Sequence, residues 1–194
     1  DDLLLLICVG ATLSSFIGYF DDLFDIRAVI KILVHVIMAL SVLISILSLD
    51  YFLSSSYGLI YLFFLSFFFV WVINSINFMD GIDGLCSSLS ICILSIASVG
   101  TLINGLDASS YLPFLMVGSV CGGFLLINLS AKKLFMGDSG TLFLGFMLCS
   151  FALRSVSEGE LTFWFWGILF SFCLTETTST TLYTDGLWHH AVAI

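Results

Sequence analysis

Charge is scarce in this chain, and positive charge scarcer still. Only 10% of the 194 residues are charged, against about a quarter in a soluble domain. Five are Lys or Arg against 14 acids, a formal charge of −9, which argues against nucleic acid as a partner, since that wants a basic face. There is one proline and no long polar stretch, so no linker separates a second domain, and residues 1–194 read as one unit. No two of the six cysteines (Cys8, Cys86, Cys92, Cys121, Cys149, Cys173) stand in a CxxC pair. They read as small buried hydrophobes rather than a disulfide framework or a thiolate metal site. The opening "DDLLLLICVG" has neither an initiator Met nor the basic start of a signal peptide. The expectation is that it begins partway through a longer protein.

What is abundant is apolar. Hydrophobic residues make up 60% of the chain, 20 of them Phe, and the mean hydropathy is +1.16. A membrane-crossing helix needs about 20 mostly apolar residues. Seven spans fit, at about 3–20, 28–49, 57–76, 85–103, 111–128, 140–156 and 161–181. The expected fold is therefore an all-α, polytopic bundle of transmembrane helices. Short connections make neighbours antiparallel. Then "GYFDDLFDIR", "NSINFMDGIDG", "NLSAKKLFMGDSG" and "LYTDGLWHH" all emerge on one membrane face. Arg27, Lys31, Lys132 and Lys133 lie on that face and Arg154 on the other. By the positive-inside rule the motif face is cytoplasmic.

Acids near lipid are expensive, so their grouping is informative. Asp21, Asp22 and Asp25 form one cluster, Asp80 and Asp83 a second, and Asp138 a third. Like charges at a low-dielectric boundary need a counter-charge. Lys31 and Arg27 supply part. A divalent cation held by oxygen ligands would supply more, because Mg²⁺ takes one or two carboxylates together with substrate phosphates. Asn74, Asn77, Asp80 and Asp83 recur every three residues. On an α-helix this row drifts by about 60° per step, so two or three of the four converge unless the segment tightens. Gly81 and Gly84 give the backbone freedom there.

Each cluster also has a plainer reading. "DDLFD" fits a solvated helix end, "DGIDG" an ordinary turn, and Asp138 an N-cap. His35 reads as a satisfied core or interface residue, Asp50 and Asp107 as solvated loop acids, and Arg154, Glu158 and Glu160 as an outer helix end. Pro113 falls in the first turn of the fifth span, where proline is tolerated.

"DDLFDIRAVIK", "NSINFMDGIDGL" and "KLFMGDSGTLFLGF", in this order and on one face, resemble the polyprenyl-phosphate N-acetylhexosamine-1-phosphate transferases. The "NFMDGIDG" and "FMGDSG" forms most resemble the bacterial initiators of O-antigen and capsule synthesis. The resemblance covers about residues 10–190. It implies transfer of a sugar-1-phosphate from a UDP-N-acetylhexosamine to undecaprenyl phosphate at the inner (plasma) membrane. UMP is released, and Mg²⁺, or Mn²⁺, is the cofactor. Residue by residue, it implies that Asp138 holds the metal and that Asn77 serves the nucleotide pocket within reach of the metal. Asp80, Gly81 and Asp83 would shape the nucleotide-sugar site. Asp21 and Asp22 would form the acidic pair at the lipid phosphate, and Lys31 would grip the pyrophosphate.

The family also implies helices before residue 1 and a His-rich loop of the form W-x-x-A-H-R-x-H after the last span. Here "LWHHAVAI" keeps Trp188 and Ala191 but has Val192 where a His is expected. The expectation is a chain truncated at both ends. Two other readings stand beside the transferase: an ion-coupled membrane transporter, and an inactive fragment of the transferase. Homodimerisation, the identity of the sugar and the polymer begun are left open by the sequence.

Overall fold

A computed structural model describes residues 2–54, 56–131 and 135–191. Lys132, Lys133 and Val192 lie outside the described residues, as do the side chains of His189 and His190. Among the described residues the elements are eight helices: α1 Asp2–Phe24, α2 Ala28–Leu47, α3 Leu49–Ser54, α4 Gly58–Phe78, α5 Leu85–Ile103, α6 Ala108–Ala131, α7 Gly137–Ser157 and α8 Phe163–Ala191. A 3-10 turn, Met79–Gly81, follows α4, and no strand occurs among the described residues. Among the described residues, six helices (α1, α2, α4, α5, α6 and α7) are long and apolar enough to cross a membrane. The chain is thus a multi-pass membrane protein. The seventh expected span lies in α8, which is not among the six. Its run "TETTSTT" at 175–181 dilutes the apolar stretch with hydroxyls and Glu176.

α7 is the hub. Two-thirds of its most apolar stretch (67%) is buried, against 17–44% for the other five crossing helices. α1 and α4 pack along it, and α2 lies against α4. Small residues make the close approaches, as is usual where helices meet in lipid. A Cβ on Gly145 of α7 would lie 2.9 Å from Ile73 Cα on α4. One on Gly10 of α1 would strike the Phe146 ring, and one on Gly18 would strike the backbone of Asp138 and Ser139. Aromatic pairs fill the rest. Phe69 meets Phe146 edge to face at 5.4 Å, Phe114 meets Phe151 at 5.3 Å, and Trp166 stacks on Phe170 at 5.7 Å. The Trp166 indole N–H donates to Ser155 Oγ at 2.7 Å, so its polar edge is satisfied on burial.

Several sequence expectations are corrected here. α6 begins at Ala108, so Pro113 lies beyond the first turn and removes an interior N–H that would have bonded the Ser109 carbonyl. Asp50 lies in the first turn of α3 rather than in a loop. Cys86, Cys121, Cys149 and Cys173 are buried, but Cys8 and Cys92 are exposed; all six are free thiols. His35 is buried as expected, yet neither ring nitrogen has a hydrogen-bond partner among the described residues. Arg154 and Glu158 pair at 2.9 Å at the end of α7.

Candidate functional site

The site lies where the end of α1 and the starts of α2 and α7 meet the turn after α4. α1 stops because Asp25 enters the left-handed region at φ 51°, a conformation Asp tolerates better than most residues. The Asp25 N–H still reaches the Asp21 carbonyl at 2.9 Å. Asp21 and Asp22 thus belong to the last helical turn. Asp21 is pinned through both carboxylate oxygens. Oδ1 accepts the Ile26 N–H at 2.9 Å and Oδ2 accepts Lys31 Nζ at 2.5 Å. The same ammonium reaches Asp138 Oδ2 at 3.5 Å. The Asp21 side chain keeps only 9% of its exposure, and those of Lys31 and Asp138 about a quarter. Such a pair is held far better than a solvated surface ion pair.

Asp138 is not an N-cap. α7 starts one residue earlier, at Gly137, and its N-cap Met136 makes no side-chain cap bond. Carboxylates from other elements take the first N–H groups of α7 instead. Asp80 Oδ2 accepts from Gly137 N at 2.9 Å, and Asp22 Oδ1 from Asp138 N at 3.3 Å. A helix N-terminus leaves these donors orphaned and favours negative charge, so the acids are drawn to it. Capping in this way frees the Asp138 carboxylate to face Lys31.

The row of four splits as its angular drift requires. Asn77 turns to α7, where its Oδ1 accepts the Thr141 hydroxyl at 2.5 Å. Asn74 is exposed and bonds back to the Val70 carbonyl at 2.7 Å. Asp80 rides the 3-10 turn towards Gly137, while Asp83 is exposed beyond it. Gly81 has open space about its Cα, but Gly84 is required, at φ +75°. Asp21, Asp22, Lys31, Asp80 and Asp138 therefore come together, with Asn77 beside them through Thr141. Asp83 and Gly81 stand at the rim.

Sequence reasoning missed the residues that allow this. Gly18 lets α1 lie against Asp138. Gly137, at φ +69°, leaves room for Asp22 Oδ2 just 3.0 Å from where a Cβ would sit. Ser14 Oγ donates to the Leu142 carbonyl at 3.1 Å, and Ser15 and Ser139 join hydroxyls at 2.9 Å. Small residues in apolar helices carry little signal; Gly137, directly before an acid, was the most readable.

Among the described residues, no group of three or more His, Cys, Asp or Glu is placed to hold a metal ion. Two carboxylates, Asp21 and Asp138, do face one ammonium, with Asp22 and Asp80 on the adjoining amides of α7. A hard cation that takes only one or two carboxylates, with water and phosphate completing its shell, fits that donor set.

Residues 4–156 match the sequence profile of glycosyl transferase family 4. A probable undecaprenyl-phosphate N-acetylglucosaminyl 1-phosphate transferase of Bacillus subtilis is 32% identical over 164 residues, covering 81% of this chain and 45% of the relative. The undecaprenyl-phosphate alpha-N-acetylglucosaminyl 1-phosphate transferase of Escherichia coli is 35% identical over 170 residues, with the same coverage. A phospho-N-acetylmuramoyl-pentapeptide-transferase of Streptococcus pyogenes is 38% identical over 111 residues, 55% of this chain and 31% of the relative. The chain thus spans about half the length, or less, of these relatives.

Proposed function

Because the chain belongs to glycosyl transferase family 4, we propose that it transfers an N-acetylhexosamine-1-phosphate from a UDP-sugar to undecaprenyl phosphate. UMP leaves, and the product is a lipid-diphosphate-sugar for cell-envelope polysaccharide. The observation that carries this reading is Lys31 set between Asp21 and Asp138 at one end of the helices. Water-soluble nucleotide-sugar and membrane-borne acceptor meet at such a boundary. We place this end at the cytoplasmic face.

In the proposed reaction an oxygen of the lipid phosphate attacks the sugar-linked phosphorus of the UDP-sugar. A new P–O–P bridge forms, the bond to UMP breaks, and UMP carries away the electron pair. Phosphoryl transfer asks mainly for positioning and charge neutralisation. Lys31, its ammonium already fixed by two carboxylates, is aimed to neutralise phosphate oxygens in the transition state. Asp21 and Asp22 border the place where the lipid phosphate would lie. No base is required, because a phosphate monoester with a second pKa near 6 is mostly dianionic at neutral pH. Asn77, Asp80, Gly81 and Asp83 would line the nucleotide-sugar side. Asp138, with Asn77 in reach, would hold Mg²⁺ or Mn²⁺, which when bound supplies charge neutralisation of the pyrophosphate.

The ion-coupled transporter gains nothing from these observations. Its acids belong near mid-membrane, whereas Asp21 lies in the last turn of α1 and Asp138 in the first turn of α7. The assay uses membranes containing the chain, undecaprenyl phosphate, Mg²⁺ and radiolabelled UDP-N-acetylglucosamine. The expected result is label in butanol-extractable lipid with release of UMP, and a loss of several orders of magnitude with Asp138→Asn. Unchanged turnover in that variant would sink the metal assignment. No transfer with any UDP-N-acetylhexosamine would point to the inactive fragment.

A further inference from the structure

We infer that Lys31 is a specificity-determining residue for the divalent cation: by facing Oδ2 of Asp138 it leaves the cation one carboxylate oxygen there, which suits Mg²⁺ or Mn²⁺ and disfavours Ca²⁺. The inference rests on the transfer reading, with Asp138 as its metal ligand, and goes beyond it in naming what selects the ion.

The carboxylate oxygens of the site are taken up one by one. Asp21 has both engaged, Oδ1 by the Ile26 N–H at 2.9 Å and Oδ2 by Lys31 Nζ at 2.5 Å. Asp22 accepts the Asp138 N–H through Oδ1, and Asp80 accepts the Gly137 N–H through Oδ2. Asp138 faces Lys31 through Oδ2 at 3.5 Å. Its Oδ1 carries no donor among the described residues, and its side chain keeps 26% of its exposure. The Asp138 backbone is held by Asp22 on the N–H and by Gly18 against the carbonyl, so the carboxylate stays within reach of Lys31. The lysine is anchored in turn, because Asp21 holds the same ammonium. An ammonium has three N–H donors, so one remains for phosphate while two face carboxylates.

The ions differ in what they ask of a carboxylate. Ca²⁺ gathers about six to eight oxygens and often clasps a carboxylate through both. Mg²⁺ is smaller, keeps a near-octahedral shell with several waters, and takes one or two carboxylates beside phosphate. Mn²⁺ favours the same octahedral oxygen shell. A cation clasping both oxygens of Asp138 would share Oδ2 with the ammonium, two positive charges on one atom. A cation on Oδ1 alone avoids that repulsion.

The test titrates the solubilised chain with Mn²⁺, without substrates, and follows bound Mn²⁺ by electron paramagnetic resonance. Mg²⁺ or Ca²⁺ then displaces it. Wild type is compared with Lys31→Met, with the double variant Asp21→Asn plus Lys31→Met, and with Asp138→Asn. Lys31→Met frees Oδ2 but also removes a positive charge. The double variant frees the same oxygen at unchanged net charge. It also leaves no unpaired acid at position 21, the fault that would unfold the single variant. In both, the affinity for Ca²⁺ relative to Mg²⁺ is expected to rise about tenfold, or about 1.4 kcal/mol. Asp138→Asn should lose most Mn²⁺ binding.

An equal gain for both ions in Lys31→Met, with an unchanged ratio in the double variant, would be charge removal alone and would overturn the inference. A wild type that binds no Mn²⁺, or an Asp138→Asn chain that binds it undiminished, would overturn it together with the metal assignment. Failure of the transfer reading shows elsewhere, as a wild type that binds Mn²⁺ through Asp138 yet moves sugar-phosphate from no UDP-N-acetylhexosamine. The displacement ratios decide the ion preference in either case.

Discussion

Gly18 on α1 lies directly against the carbonyl of Asp138 on α7, with no room for a methyl group between the two backbones. The carboxylate that meets Lys31 is thus placed by a residue with no side chain. Gly18→Ala must push α1 and α7 apart at the site. Overpacking of this kind costs about 1–3 kcal/mol, and a displacement of roughly 1 Å can cost a hundredfold in rate. Expected are a lower melting temperature and a fall in sugar-phosphate transfer larger than the stability loss alone explains. Wild-type behaviour would show that the helices have slack here.

Lys31 is the cation that the structure brings against two carboxylates. Lys31→Met keeps the length of the stem and removes the charge, leaving Asp21 and Asp138 opposed. Transfer should drop by about two orders of magnitude or more, the scale of losing one transition-state contact to developing negative charge. Lys31→Arg should restore little, since the planar fork has a different reach. Turnover assays in matched membranes check both.

Asp80 caps α7 from outside the helix through the Gly137 N–H. Asp80→Ala should cost about 0.5–2 kcal/mol in stability, the range for losing a side-chain cap. Asp80→Asn keeps an acceptor oxygen and should cost less. Thermal unfolding in detergent separates the two, and equal melting points for all three chains would deny the cap.

Two glycines of the same motif should behave differently. At Gly84, φ +75° is combined with Leu125 and Leu129 at 3.0 and 3.2 Å from a Cβ. Gly84→Ala should destabilise by roughly 1–2 kcal/mol for the left-handed backbone alone. Gly81 has nothing within 4 Å of a Cβ, so Gly81→Ala should leave the melting temperature unchanged.

Charge and hydropathy carried most of what the sequence revealed. Six helices stand where apolar runs predict them, and Asp21, Asp22, Lys31, Asp80 and Asp138 meet because acids near lipid must find partners. The failures have physical causes. Thr141, Gly18 and Gly137 act by smallness, a backbone angle or one hydroxyl, and each is unremarkable in an apolar helix. The N-cap reading of Asp138 missed that acids from α1 and the turn after α4 would take the first amides of α7. The apolar run at 161–181 suggests a seventh span, whereas the threonines within it lower the apolar character of α8. His35 fits the core by burial, but pattern alone does not tell whether its nitrogens find partners.

The separations along the chain set an order of assembly. Lys31 and Asp21 are 10 residues apart, but Asp80 waits 57 residues for Gly137 and Asp22 waits 116 for Asp138. As the chain leaves the ribosome, α1 and α2 bring both members of the Asp21–Lys31 pair out within 10 residues of one another. Asp22 and Asp80 stay without these amide partners until α7 arrives. A ribosome arrested before residue 137 would therefore leave two acids without the amides of a helix not yet made.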